Sequence, residues 1–301
     1  MVEAVPPAKL RTAPATAYLM LVFSVAAMGS ASVLVRWANA PGSVYGFYRM
    51  AVAITIFALP VTLRTDRSAV RSSRHLGLAV LAGLFLALDL WVWNNAALLT
   101  SAANATLFGN TSVFWVVLGS AVLFRERLRV FFRGGLALAL AGVCVILGQD
   151  FFSHPTLGMG DLMALAGGFL YGVFLLATAR SRERLDAIVA WWVSSLVSAF
   201  ALLAISLALG LPLFGYPLQT YVSVLIAGLL IQVGGYLAVN YVLGYFSASI
   251  VSPTLLAQPV VAAILGLLFL DQPITAAQVV GGTLMLSGIF IIHRTNTQAQ
   301  R

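Results

Sequence analysis

Charge is what this chain has least of. Only 9% of its 301 residues are Asp, Glu, Lys or Arg, while 61% are apolar and the mean hydropathy is +0.98. So few charges cannot coat a soluble domain of this length, which excludes an ordinary globular protein and makes hydrocarbon the solvent. Cysteine is scarcer still, with Cys144 alone in an apolar run. A single thiol excludes an internal disulfide and a cysteine metal cluster, and Cys144 reads as a small core residue. Histidine is equally thin: His75, His154 and His293 fall at three different helix ends, and no two carboxylates share a helical spacing within a span. A membrane-embedded enzyme gathers such groups at one face for metal or acid–base chemistry, so no enzyme, no metal and no other cofactor is expected.

What the chain does have is a positive surplus, +8 with a pI near 10.1. In a soluble protein that would point to nucleic acid, but here the basic residues sit almost entirely in loops, and no nucleic-acid partner is expected. A hydrocarbon core of roughly 30 Å needs about 20 apolar residues per helix. The chain divides into runs of that size, predicting helices near 17–36, 44–63, 75–98, 102–124, 131–149, 158–180, 186–209, 217–243, 247–270 and 274–293. The first is too long for the core of a cleavable signal and is read as a retained span.

Lys9 and Arg11, then Arg64, Arg67, Arg71 and Arg74, then Arg125, Arg127, Arg129 and Arg133, then Arg180, Arg182 and Arg184, and last Arg294 and Arg301 fall in the termini and in every second loop. The intervening loops have no Lys or Arg. The positive-inside rule then places both termini in the cytoplasm, and a bacterial inner membrane is the expected location.

An internal repeat accompanies this alternation. Asn94-Asn95, Ser101-Ala102, Gly135, Gly142 and Ile146 run in step with Asn240-Tyr241, Ser247-Ala248, Gly281, Gly288 and Ile292. Leu19-Met20 and Gly29 likewise match Leu162-Met163 and Gly172. The economical organisation is a cytoplasmic tail over 1–16, a five-helix unit over 17–149, a second over 158–293 and a cytoplasmic tail over 294–301. An odd number of spans per unit makes the second enter from the opposite side, so the fold class expected is all-α polytopic, ten transmembrane helices as two inverted five-helix repeats around a central cavity. Secondary transporters use that plan for alternating access.

The stretch Ala97-Leu98-Leu99-Thr100-Ser101-Ala102-Ala103-Asn104-Ala105, followed by Phe114, Leu123-Phe124-Arg125-Glu126-Arg127-Leu128, Gly135 and Ala141-Gly142-Val143, resembles the signature half of EamA-type drug/metabolite transporters. Pro259-Val260-Val261, Leu270-Asp271-Gln272-Pro273-Ile274-Thr275, Gln278, Gly281-Gly282 and Ser287-Gly288 resemble it a second time. Val113 stands where the family often has proline, and Gln272 where it usually has glutamate. Within the family the chain is most similar to YddG-type exporters of aromatic and related amino acids. That resemblance implies a ten-helix basket whose cavity is lined by the first, third, fourth, sixth, eighth and ninth helices, a monomer in the lipid bilayer, and a small-molecule cargo such as an amino acid. Other metabolites or drugs carried by the same superfamily are the alternative cargo.

Intramembrane polar groups must find partners or line water, so each is a candidate. Gln232, Tyr236 and Asn240, spaced by four, should share one face of the eighth helix and offer amides plus an aromatic ring to a zwitterion, or else hold helices together. Asn94 is the repeat mate of Asn240, with Trp91 and Trp93 beside it, either as a stacking wall or as an interfacial belt. Asn110 and Thr111 lie near the middle of the fourth span, and Tyr171 follows Gly167-Gly168 in the sixth, where Gly168 and Gly172 read equally as a close-packing face. In the ninth, Ser252-Pro253 and Gln258-Pro259 should free the carbonyls of Ser249 and Leu255, as a hinge with exposed acceptors or as a structural kink. Arg49 and Asp89 are the charges clearly within spans, at comparable depth. They are expected to pair directly or through water as a structural ion pair, or Asp89 to carry a coupling proton, with protons then a second partner.

Overall fold

The computed structural model describes residues 13–64, 73–100, 105, 108–124, 130–153, 158–270, 274 and 276–300. The basic loops at 65–72 and 125–129, the family-like segments at 101–104 and 271–273, His154 and both extreme termini lie outside the described residues. Among the described residues there is helix and no strand. In order these are α1 (Ala15–Gly29), α2 (Ala31–Ala38), α3 (Gly42–Arg64), α4 (Ser73–Leu99), α5 (Ser112–Leu123), α6 (Val130–Ser153), α7 (Met159–Ser181) and α8 (Ala187–Ala208). Then follow α9 (Leu218–Ala227), a π-helical stretch (Gly228–Tyr236), α10 (Leu237–Val242), α11 (Ala248–Leu255), α12 (Gln258–Leu270) and α13 (Ala276–Gln300).

Among the described residues, five helical stretches are long and apolar enough to cross a membrane: Ala15–Ala38, Arg74–Leu99, Met159–Ser181, Ala187–Ala208 and Leu218–Val242. Five shorter apolar helices accompany them, and each of these stretches falls on one of the expected spans. Two expected spans are broken. The first turns at Ser30, whose hydroxyl donates to the Ala27 carbonyl at 2.7 Å, and the ninth is interrupted between Leu255 and Gln258.

The packing repeats itself. α4 lies on α7, as α1 and α2 lie on the π stretch and on α9; α4 lies on α8, as the π stretch lies on α3; and α5 lies on α7, as α11 and α12 lie on α1. Three contacts map onto themselves when the halves are exchanged: α3 with α8, α5 with α11, and α6 with α13.

The last of these is built from glycine. A Cβ on Gly142 would lie 2.4 Å from the Gly281 carbonyl oxygen, and one on Gly288 would lie 2.4 Å from that of Gly135. Early residues of one helix meet late residues of the other, so α6 and α13, which occupy equivalent places in the two halves, run antiparallel. Lipid offers no hydrophobic gain for helix association, and backbone contact of this kind supplies the van der Waals attraction instead. Cys144, expected in the core, is exposed, because it lies beside this seam rather than on it.

Interhelical hydrogen bonds add to the packing. Ser206 donates to Ser43 at 2.9 Å, joining α8 to α3, and Ser198 donates to the Gly83 carbonyl at 2.7 Å where a Cβ on Gly83 would meet Ser194 O at 2.6 Å. Bonds of this type contribute about 0.6 kcal/mol each in membranes, so the close backbone approach carries more of the stability than they do.

Candidate functional site

Between the halves lies a cavity with about 100 Å³ of room for water-sized groups, partly open to the outside. Its wall comes from the first, third, fourth, sixth, eighth and ninth spans, and the second adds Arg49.

The backbone is irregular where it reaches this cavity. Gly29, at the break between α1 and α2, packs directly against the break between α11 and α12, where a Cβ on Gly29 would sit 3.1 Å from Gln258 O, and Gly29, Leu255 and Gln258 all line the cavity. Asn110 and Thr111 form a turn before α5, with Thr111 N bonding to Phe108 O at 3.1 Å and Val113 N to Asn110 O at 3.2 Å. The π stretch presents Ile231 and Tyr236. Non-helical backbone is tolerated at membrane depth where protein buries it or where it lines a polar cavity, and π segments concentrate at functional sites. The indole of Trp191 donates to the Gln232 carbonyl at 3.0 Å, giving a partner to one carbonyl of the π stretch.

Six of the sequence-expected residues meet here: Asn110, Tyr171, Tyr236, Ser252, Gln258 and Pro259, together with Arg49 and Asp89. The rings of Tyr171 and Tyr236 stand edge to face, 6.4 Å between centroids, and Trp93 joins the wall with its indole donating to Ala105 O at 3.3 Å. Gly168 and Gly172 prove to be a packing face against the fourth span: a Cβ on Gly168 would lie 2.5 Å from Thr111 Oγ1, and one on Gly172 2.9 Å from Trp115 Cβ. Pro259 occupies the first turn of α12, where a missing amide donor costs nothing, whereas Pro253 is interior to α11.

Other expected residues turn elsewhere. Gln232 and Tyr236, four apart in the π stretch, both reach the Arg49 guanidinium, but Tyr236 lines the cavity while Gln232 is buried off its wall, its amide donating to Ser195 Oγ at 3.1 Å and its side-chain oxygen accepting from Arg49 Nη2 at 3.4 Å. Asn240 donates back to Tyr236 O at 3.0 Å. Asn94 donates to Gly42 O at 3.1 Å, Gly42 N donates to Asn95 Oδ1 at 3.2 Å, and Thr111 Oγ1 donates to Phe108 O at 2.6 Å. Trp91 is half-buried and off the cavity wall. The Gly-Gly pair at Gly234-Gly235 lets α1 approach the π stretch. Asn94→Ala is expected to lower stability by about 1–3 kcal/mol by unpairing the start of α3, with substrate selectivity unchanged, checked by melting curves beside competition binding.

The direct Arg49–Asp89 ion pair is not formed. Arg49 is 1% exposed and Asp89 6% exposed, and both line the cavity, but among the described residues no salt bridge joins them. Arg49 is committed elsewhere: besides Gln232, its guanidinium carbon lies 5.4 Å from the Tyr236 ring centre. Asp89 stands across Gly167, whose missing Cβ would be 3.4 Å from Asp89 Oδ1. Arg36, in α2, donates to Thr100 O at 3.1 Å outside the cavity wall.

Known proteins carry the same arrangement. A solved crystal structure covers 96% of this chain and is itself covered in full, with a TM-score of 0.77 at 18% identity, so the fold is shared. An uncharacterized transporter of Methanothermobacter thermautotrophicus is 29% identical over 202 residues, which span 64% of this chain but only 57% of that protein. A probable amino-acid metabolite efflux pump of Escherichia coli is 25% identical over 201 residues, 63% of this chain and 67% of the pump. The match to the family extends over residues 15–148 and again over 158–294, one copy for each half of the packing pattern, and the chain belongs to the EamA-like transporter family.

Proposed function

We propose that this protein is a multi-pass membrane transporter that exports amino acids, aromatic or large neutral ones foremost, or closely similar small metabolites. Its ten spans form two inverted five-helix units that alternate access to the cavity, with both termini in the cytoplasm of a bacterial inner membrane and the monomer as the working unit. The observation that carries this reading is the convergence on one polar and aromatic-walled cavity of the breaks in the first and ninth spans, the turn in the fourth and the π stretch in the eighth. Breaks of that kind are both substrate-facing and bendable, which alternating access requires. The efflux relative from Escherichia coli supports the cargo class.

Counterflow in proteoliposomes, with amino acids, phosphate esters and organic cations as competitors, tests it. Exchange of large neutral amino acids is the expected result, and competition only by phosphate esters or cations would refute the cargo. An assay of flux after a pH jump on Asp89→Asn separates two modes. Export coupled to a proton on Asp89 loses its pH response in the variant, whereas unchanged flux and pH response would remove Asp89 from the mechanism.

A further inference from the structure

We infer that Arg49 and Asp89 are the two poles of a zwitterion site, the guanidinium receiving an α-carboxylate and the Asp89 carboxylate receiving the α-ammonium of a free amino acid. This rests on the transport reading above and assigns its chemistry to named atoms.

Two opposite charges line one cavity, both nearly inaccessible, and they do not neutralise each other by contact. Arg49 is oriented rather than consumed. Gln232 and the Tyr236 ring hold two sides of the guanidinium, while Nε is buried with no hydrogen-bond partner among the described residues. Asp89 accepts no hydrogen bond from a described residue, and Gly167 keeps side-chain bulk away from it. Two more cavity groups, Asn110 Nδ2 and Ser252 Oγ, are buried without partners among the described residues. Buried charges and donors left in this condition are costly, and the cost is relieved by a ligand that brings the complementary groups.

A zwitterion is the ligand class that satisfies both poles. An amine without a carboxylate would meet Asp89 favourably but face the Arg49 charge, and an acid without an ammonium would meet the reverse. Each single-charge analogue leaves one desolvated pole unpaired, so the pair selects by repulsion as well as attraction. The rings of Trp93, Tyr171 and Tyr236 in the same wall suit an apolar or aromatic side chain.

Competition binding on the purified full-length protein in lipid nanodiscs tests the assignment. The probe is L-phenylalanine, and the competitors are phenethylamine, which lacks the carboxylate, and 3-phenylpropanoate, which lacks the ammonium. The wild-type protein is expected to bind each analogue at least tenfold more weakly than phenylalanine. Asp89→Asn should close that gap for 3-phenylpropanoate alone, and Arg49→Gln should close it for phenethylamine alone. The wild-type comparison stands even where a variant fails to fold.

Equal affinity for all three ligands, no binding of any of them, or a uniform loss across ligands in both folded variants would overturn the two-pole site. Counterflow in proteoliposomes made from the same purified protein keeps the two readings apart. Flux of amines or phosphate esters alone leaves a transporter without this site, whereas the two-pole binding pattern with no flux of any cargo leaves the site without transport.

Discussion

Truncating Arg49 to alanine is expected to destabilise the protein by about 3–5 kcal/mol, the range for removing one member of a buried set of opposite charges. Three losses combine. The Asp89 carboxylate keeps its desolvation without an opposing charge nearby, the Gln232 carbonyl oxygen loses its donor, and the Tyr236 ring loses the cation beside it. The last two sit in the π stretch, so the local winding of the eighth span is also expected to loosen. Melting curves of the purified protein, with ligand absent, measure the effect. Removing both charges, as Arg49→Ala with Asp89→Ala, should cost less than the two single changes added together, because the double variant leaves no charge stranded. Strict additivity would show that the two side chains act independently, and a loss under about 1 kcal/mol for Arg49→Ala alone would show that water reaches Asp89 freely.

Alanine at Gly142 or at Gly288 is the second large effect. The obstacle in each case is backbone: the new Cβ on Gly142 meets Gly281 O at 2.4 Å and Met285 N at 2.5 Å, and the one on Gly288 meets Gly135 O at 2.4 Å and Ala139 N at 2.5 Å. Backbone cannot swing aside as a flexible side chain can, so α6 and α13 must separate along the seam. Overpacking of this kind costs about 1–3 kcal/mol and occasionally more, and here the upper end is expected. The near-equality of the distances makes a sharper statement. The two single substitutions should lower the melting temperature by closely similar amounts, and the pair together should cost less than twice either, since the first already opens the seam. Gly134, which has open space around its would-be Cβ, is the control and should tolerate alanine.

Much of the architecture was legible because lipid simplifies the code. Apolar runs between charged breaks locate the helices, and the spaced glycines Gly135, Gly142, Gly281 and Gly288 marked the repeat, since they are the positions where backbone touches backbone. The amides were harder to place. A spacing of four assigns Gln232, Tyr236 and Asn240 to one face, and Gln232 and Tyr236 do both reach Arg49, but the spacing does not reveal that only Tyr236 lines the cavity, with Gln232 held by Ser195 and Asn240 turned back on the Tyr236 carbonyl. Asn94 was misdirected for a different reason: as an intramembrane amide it invites a ligand, yet it spends its donor on the carbonyl of Gly42, a residue distant in sequence. Arg49 and Asp89 were expected to pair directly or through water, and they line one cavity without a direct salt bridge. Which side chains claim a guanidinium depends on rotamers and neighbours that sequence periodicity does not encode, and here Gln232 and Tyr236 claim it first.

The seam between α6 and α13 also says something about ancestry. Because the notch at Gly142 and the notch at Gly288 receive equivalent stretches of backbone from the opposite half, each unit presents a surface complementary to its own upside-down twin. A lone quintet of helices, inserted into the bilayer in both orientations, would already possess the adhesive edge needed to find such a twin.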